Sequence, residues 1–193
     1  MPDLSRTTLC ADPFEHLVIT GLFGESELSY CKGGFQELSE ELKTPYFEVA
    51  ATSLSGSGSK FRASLLELFS GKKMKAFIEG VTGFENLDFC RVVCRSEPKG
   101  VSYPVHEDAE IKKVSMIVYI GDRVYGQDGT RLHGDRMKTI PFVPGSALVI
   151  PNRPGSPHSY GPFKQDERKT ILINYSDSPE LWTHCDPRYS LNS

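Results

Sequence analysis

A mainly β jelly roll supported by helices is the fold that this sequence predicts. Three observations carry the prediction. Helical signals are confined to the first stretch of the 193 residues, up to about residue 86. From Leu87 onward, short runs of β-favouring residues alternate with turn signals. The balance of 38% hydrophobic and 24% charged residues is that of a globular chain able to close one core. The expected organisation is therefore one domain over residues 1–193. Helical support occupies about 1–86 and the jelly-roll core about 87–178.

The elements follow in chain order. Residues 16–21 (HLVITG) read as a short strand. Ser26 is placed to cap a helix over about 27–42, whose first turn carries Glu27 as the helix dipole favours. Gly33 and Gly34 interrupt that helix. Residues 53–59 (SLSGSGS) form a flexible loop. Beyond it Phe61, Leu65, Leu66 and Leu68 recur at helical spacing, and a second helical piece follows around 74–79.

The strand runs are 89–95 (FCRVVCR), 101–106, 114–120 (VSMIVYI), 139–143 (TIPFV), 146–150 (SALVI) and 168–175 (RKTILINY). Pro144-Gly145 reads as a hairpin turn between two of them. Many short strands at even spacing predict a sandwich or barrel. Residues 121–138 and 151–167 are rich in glycine, proline and charge. They are expected to be irregular binding loops or lids.

Several function classes lose support at once. The formal net charge is -3, so no concentrated basic surface recruits nucleic acid or an anionic membrane. The first 16 residues lack a basic segment followed by an apolar one, and no apolar run is long enough to span a bilayer. A cytoplasmic protein is expected. Cys10, Cys31, Cys90, Cys94 and Cys185 are odd in number and include no CxxC pair, so a disulfide framework is not expected.

Histidine and aspartate carry the candidate chemistry. Two histidines and one carboxylate can hold Fe(II) on one face of its octahedron and leave positions open for reaction. The sequence form is His-x-Asp, then a distant histidine. Residues two apart on a strand share a face, so the pair converges. Three such triplets occur, at His106, His133 and His184. His184 lies nine residues from the C-terminal end of the sequence, with no later strand to supply a third ligand. His133 sits in a charged glycine-rich stretch only 25 residues before His158. His106 follows one strand run and precedes another, and the 52 residues from it to His158 hold three runs in all. This spacing suits ligands on facing strands near the mouth of a small roll. His106, Asp108 and His158 are the predicted metal ligands. Ten residues further, Arg168 opens a strand on which Arg168, Thr170, Leu172 and Asn174 share a face. A guanidinium fork beside a hydroxyl suits a carboxylate.

These residues resemble the 2-oxoglutarate/Fe(II)-dependent dioxygenases, in particular the prolyl-hydroxylase-like branch. The resemblance covers roughly residues 89–175. It rests on Tyr103-Pro104-Val105-His106-Glu107-Asp108, the apolar strand ending in Tyr119, the turn Asp128-Gly129-Thr130-Arg131-Leu132, the segment Val143-Pro144-Gly145-Ser146-Ala147-Leu148-Val149-Ile150, and His158 followed by Arg168. It implies a double-stranded β-helix of cupin-like form. It also implies iron at His106, Asp108 and His158, and 2-oxoglutarate held by Arg168 with Thr170 and Tyr119. The implied reaction consumes O2, releases succinate and CO2, and hydroxylates an unactivated C–H bond. Retention of Asp108 favours hydroxylation over halogenation. Asn174 stands where hydroxylases of peptidyl proline often carry an aromatic. Candidate substrate contacts are Arg95, Tyr103, Asp122, Arg123, Tyr125, Arg131, Arg153 and Asn174, for an amino-acid-like, peptidyl or other polar small-molecule substrate. The rival expectations are a cupin-like metalloenzyme that does not use 2-oxoglutarate, and a binding protein without catalysis.

Overall fold

The computed structural model describes residues 2–51 and 59–182. Its strands are β1 (Thr7–Cys10), β2 (His16–Ile19), β3 (Phe47–Ala50), β4 (Phe89–Pro98), β5 (Tyr103–His106), β6 (Val114–Ile120), β7 (Tyr125–Leu132), β8 (Lys138–Phe142), β9 (Ala147–Pro151), β10 (His158–Tyr160) and β11 (Glu167–Ser176). The helices are α1 (Glu25–Leu42), α2 (Ser59–Ser70) and α3 (Lys72–Thr82). A seven-stranded sheet runs β1-β2-β9-β6-β11-β4-β3, and a four-stranded sheet runs β5-β10-β7-β8. Their pairings are antiparallel, as a jelly roll requires.

The period of two along the central strands builds three layers. Val114, Met116, Val118 and Ile120 of β6, with Ile171, Ile173 and Tyr175 of β11, face the helices and join Phe35, Leu38, Phe61, Leu65 and Ile78 in the main core. Ile117 and Tyr119, with Leu148 and Ile150 of β9, face the other way and meet Leu132, Ile140 and Phe142 of the smaller sheet. Every residue of β6 is buried because both faces are covered. The inward face of β11 departs from this apolar rule. There Arg168, Thr170 and Asn174 are buried between the sheets. A polar row in that position marks where the roll holds something other than its own core.

Several expectations need correction. Ser26 does not cap α1. The helix begins at Glu25 with Gly24 as its cap residue, and the Ser26 hydroxyl donates to Glu27 instead. Nor do Gly33 and Gly34 interrupt it. A Cβ on Gly34 would lie 2.3 Å from the Phe61 ring, so glycine here permits α2 to press against α1. The predicted loop at 53–59 falls on residues 52–58, outside those described, and Ser59 already begins α2.

Pro144-Gly145 does make a turn. Ser146 N donates to Val143 O, and Gly145 has φ of +77°. It is not a hairpin, because β8 and β9 lie in different sheets and the turn carries the chain between them. The stretches 121–138 and 151–167 are not wholly irregular, since they contain β7 and β10. Glycine and charge concealed both strands, and tertiary pairing overrode weak local preference. Strands β1 and β3 were likewise absent from the sequence reading.

Candidate metal centre and carboxylate pocket

His106 ends β5 and His158 begins β10. They are direct cross-strand partners in the smaller sheet. The two candidate histidines therefore sit on adjacent strands, not on facing ones as the spacing suggests. Asp108 lies two residues past β5, with its side chain 8% exposed. Among the described residues these three form the one cluster able to hold a metal, with their ligand atoms within 4.8 Å of one another. The imidazole centroids are 4.4 Å apart, and His158 Nε2 lies 3.8 Å from Asp108 Oδ2.

Tautomers follow from backbone acceptors. His106 Nδ1 meets Pro104 O at 3.0 Å and His158 Nδ1 meets Ser156 O at 3.2 Å. A carbonyl can only accept, so each Nδ1 carries a proton and Nε2 is the atom left to face a cation. Burial, followed by the charge of His158, pushes the His106 pKa down. That keeps its ring neutral, as a ligand must be.

Asp108 is held from two sides. Lys112 Nζ donates to Oδ1 at 2.9 Å and Ser115 Oγ donates to Oδ2 at 2.7 Å. Asn174 in turn donates to Ser115 Oγ at 2.8 Å. Burial raises the carboxyl pKa, but the charges of Lys112 and His158 and the two hydrogen bonds outweigh it and bring it to about 2. Two imidazoles that present Nε2 and an ionised carboxylate, each oriented by an outer partner, suit a divalent cation with open positions.

Further along the interior, Arg168 is 1% exposed. Its guanidinium lies 4.6 Å from the Tyr160 ring centroid, 4.8 Å from that of Phe163 and 5.8 Å from that of Tyr119. Nη1 donates to Glu97 Oε2 at 3.3 Å, whereas Nε, Nη2 and Thr170 Oγ1 have no partner among the described residues. An unmet buried polar group costs roughly 1–3 kcal/mol, so a cluster of three calls for an explanation. Nε and Nη2 form one bidentate edge of the guanidinium, the geometry that matches a carboxylate.

Ring contacts connect this pocket to the triad. Tyr160 follows His158 by two residues on β10. Its ring stacks on Tyr103 at 5.7 Å, and Tyr103 packs edge-on to His106 at 4.5 Å. Tyr119 OH and Thr130 Oγ1 satisfy each other at 2.9 Å, and burial pushes the Tyr119 phenol pKa up, so it stays neutral.

The remaining candidates scatter. Arg95 lies inward, bonded to Glu48 and Tyr160. Arg123 and Tyr125 line a cleft of about 460 Å³ beside α1 that contains none of the triad. Asp122 pairs with Lys32 at 2.6 Å. Arg131 pairs with Ser159 on β10, one residue off the register of His158 and Tyr160, and so lies on the outer face of the smaller sheet. Arg153 donates to Thr82 O at 2.7 Å and covers Phe84. Asn174 reaches Asp108 only through Ser115. His133 is engaged with Ser159 Oγ at 2.8 Å, and His184 lies outside the described residues.

Sequence reasoning missed Glu97, Tyr160, Phe163, Thr130 and the Lys112–Ser115 pair. Glu97 had a usable signal. It follows Arg95 by two on an apolar strand, which puts two charges on one face.

No protein-family model matches the chain, and no curated protein matches it in sequence. Solved structures do match it in fold. A prolyl-4-hydroxylase from Pseudomonas putida superposes with a TM-score of 0.64 at 13% identity, over 84% of this chain and 92% of that one. A 2OG-Fe(II) oxygenase family member from Burkholderia pseudomallei gives 0.63 at 14%, over 84% and 85%. A Trichoplax adhaerens prolyl hydroxylase, solved with a hypoxia inducible factor peptide, gives 0.62 at 15%, over 89% and 87%. The chain thus has the fold of the 2-oxoglutarate/Fe(II) oxygenases, and its architecture is the cupin-like double-stranded β-helix.

Proposed function

We propose that this chain is an Fe(II)- and 2-oxoglutarate-dependent dioxygenase that hydroxylates an unactivated C–H bond. One observation carries the reading. A two-histidine, one-carboxylate cluster is joined, through the stacked rings of Tyr103 and Tyr160, to a buried arginine whose side-on edge lacks a partner. Either half alone has other uses. Together they match a metal and a dicarboxylate cosubstrate.

His106 Nε2, His158 Nε2 and an Asp108 oxygen hold the iron. Arg168 and Thr170 take the distal carboxylate of 2-oxoglutarate, with Tyr119 packed beside the guanidinium. Bound iron and 2-oxoglutarate supply activation of O2, with release of succinate and CO2. The protein's part is to hold both imidazoles by their Nδ1–H groups, orient Asp108 through Ser115, and exclude water by packing Tyr103, Tyr160 and Phe163 around the pocket.

The substrate is amino-acid-like, peptidyl or otherwise polar. The peptide bound to the Trichoplax neighbour supports the peptidyl option. Of the candidate contacts, Tyr103 against His106 and Asn174, linked to Asp108 through Ser115, stand nearest the reacting centre. Arg131 faces away from it.

Purification without air, followed by Fe(II) and 2-oxoglutarate, tests the class. The expected result is a metal-to-ligand charge-transfer band and succinate release. His106→Ala abolishes the band. Arg168→Ala weakens 2-oxoglutarate and leaves iron bound. Iron binding with no affinity for 2-oxoglutarate would favour the cupin-like metalloenzyme instead.

A further inference from the structure

Glu97 is a buried carboxylate for which nothing in the proposed chemistry has a use. It is 6% exposed, and it faces the arginine assigned to a second carboxylate. Its Oε2 accepts from Arg168 Nη1 at 3.3 Å, and its Oε1 accepts from Tyr160 OH at 2.6 Å. Tyr160 OH accepts from Arg95 Nη1 at 3.1 Å. Arg95 is fixed by Glu48, with Nε to Oε2 at 2.9 Å and Nη2 to the same oxygen at 2.6 Å. Strand register explains the row. Arg168 is opposite Glu97 and Thr170 opposite Arg95 across β11 and β4, while Arg95 is opposite Glu48 across β4 and β3. The Tyr160 and Phe163 rings stack at 5.3 Å with planes 10° apart, and both lie against the same guanidinium.

A guanidinium presents two bidentate edges, Nη1/Nη2 and Nε/Nη2. Glu97 occupies Nη1, which blocks the first. The second is the edge without a partner. We propose that Glu97 is a positioning residue that turns Arg168 so that only its Nε/Nη2 edge receives the distal carboxylate, thereby setting the chain length of 2-oxo diacid the site accepts. Glu48, Arg95 and Tyr160 hold Glu97 in place for this. The inference rests on the 2-oxoglutarate reading above.

Charge alone predicts the opposite behaviour. A negative Glu97 repels an incoming carboxylate, so its removal would tighten binding if position did not matter. The test is anaerobic calorimetric titration of the Mn(II)-loaded protein with oxaloacetate, 2-oxoglutarate and 2-oxoadipate. For Glu97→Gln we expect 2-oxoglutarate affinity to fall roughly tenfold or more, as for other residues that orient a ligand-binding group. Its margin over 2-oxoadipate should narrow as well. Tyr160→Phe keeps the ring against Arg168 and removes only the hydroxyl that holds Glu97. It should show the same narrowing in smaller degree, and it serves if Glu97→Gln does not fold. Wild-type protein that binds no 2-oxoglutarate overturns the oxygenase reading and this inference together. Wild-type binding that is lost in Arg168→Ala but unchanged or tighter in the folded Glu97→Gln or Tyr160→Phe protein leaves the reading intact and overturns the positioning role alone.

Discussion

Ser115 stands between Asn174 and Asp108, accepting from one and donating to the other. Without that hydroxyl the Asp108 carboxylate loses one of its two restraints while Lys112 still pulls the opposite oxygen. Ser115→Ala should therefore weaken Fe(II) or Mn(II) binding by about 10–100-fold, measured by anaerobic metal titration, with 2-oxoglutarate affinity less affected. An unchanged metal affinity would show that Lys112 alone orients the carboxylate. His16 gives a prediction of a different kind. It is fully buried, and burial lowers its pKa below the ordinary 6.5, against a raising hydrogen bond to Phe14 O. The folded state thus binds fewer protons than the unfolded chain as pH drops below 6.5. The stability it contributes is complete above that pH and is lost as pH falls towards the folded pKa. Melting temperature should decline from pH 7.5 to 5.5, and His16→Gln should flatten part of the slope. Equal slopes in both proteins would sink this assignment.

Strand β7 illustrates what an element needs beyond propensity. Its sequence, YGQDGTRL, has two glycines and reads as a loop. In the structure Gly129 lies so close to β8 that a Cβ there would fall 1.7 Å from Ile140 O. Asp128, beside it, accepts from the backbone N–H groups of Lys164 and Gln165 and so anchors the segment that carries Phe163 to Arg168. Gly129→Ala should destabilise the protein by about 1–3 kcal/mol through overpacking. Gly126→Ala, with open space around its Cβ, should stay within about 0.5 kcal/mol of wild type. Paired denaturant melts distinguish them, and equal stabilities would show that β7 and β8 separate at no cost. The strands read from sequence are β2, β4, β5, β6, β8, β9 and β11, where β-favouring residues form a local run. The missed ones, β1, β3, β7 and β10, are short or glycine-rich, and their partners supply the stability that local sequence does not.

At the scale of the molecule, both proposed ligands would bind only the folded chain, because the candidate site exists only when β5, β10 and β11 are brought together. Metal and 2-oxoglutarate should each raise the melting temperature, by linkage worth about 2.7 kcal/mol at a hundredfold excess over Kd. A chelator should reverse the metal's share. A melting curve indifferent to Fe(II), Mn(II) and chelator would remove the metal centre from the account. Among the described residues no helix is long and apolar enough to cross a membrane. The helices instead cover the seven-stranded sheet, and Phe35, wholly buried, packs against Phe47 and Phe61. That layer supports the site from behind: its core residues alternate on β6 and β11 with those that face the pocket.

By itself the sequence determined what depends on local periodicity: the central strands, the polar face of β11 with Arg168 and Thr170 in one row, and His106 with Asp108 as a candidate pair. Those are short-range properties, set by side-chain alternation. Tertiary structure decided the rest. It placed His106 and His158 as cross-strand neighbours, turned Arg131 outward, made strands of glycine-rich segments, and brought Glu97 and Tyr160 onto Arg168 from other strands. Contacts of that kind join residues distant in the chain. Their energy resides in burial and pairing geometry that no local window of sequence contains.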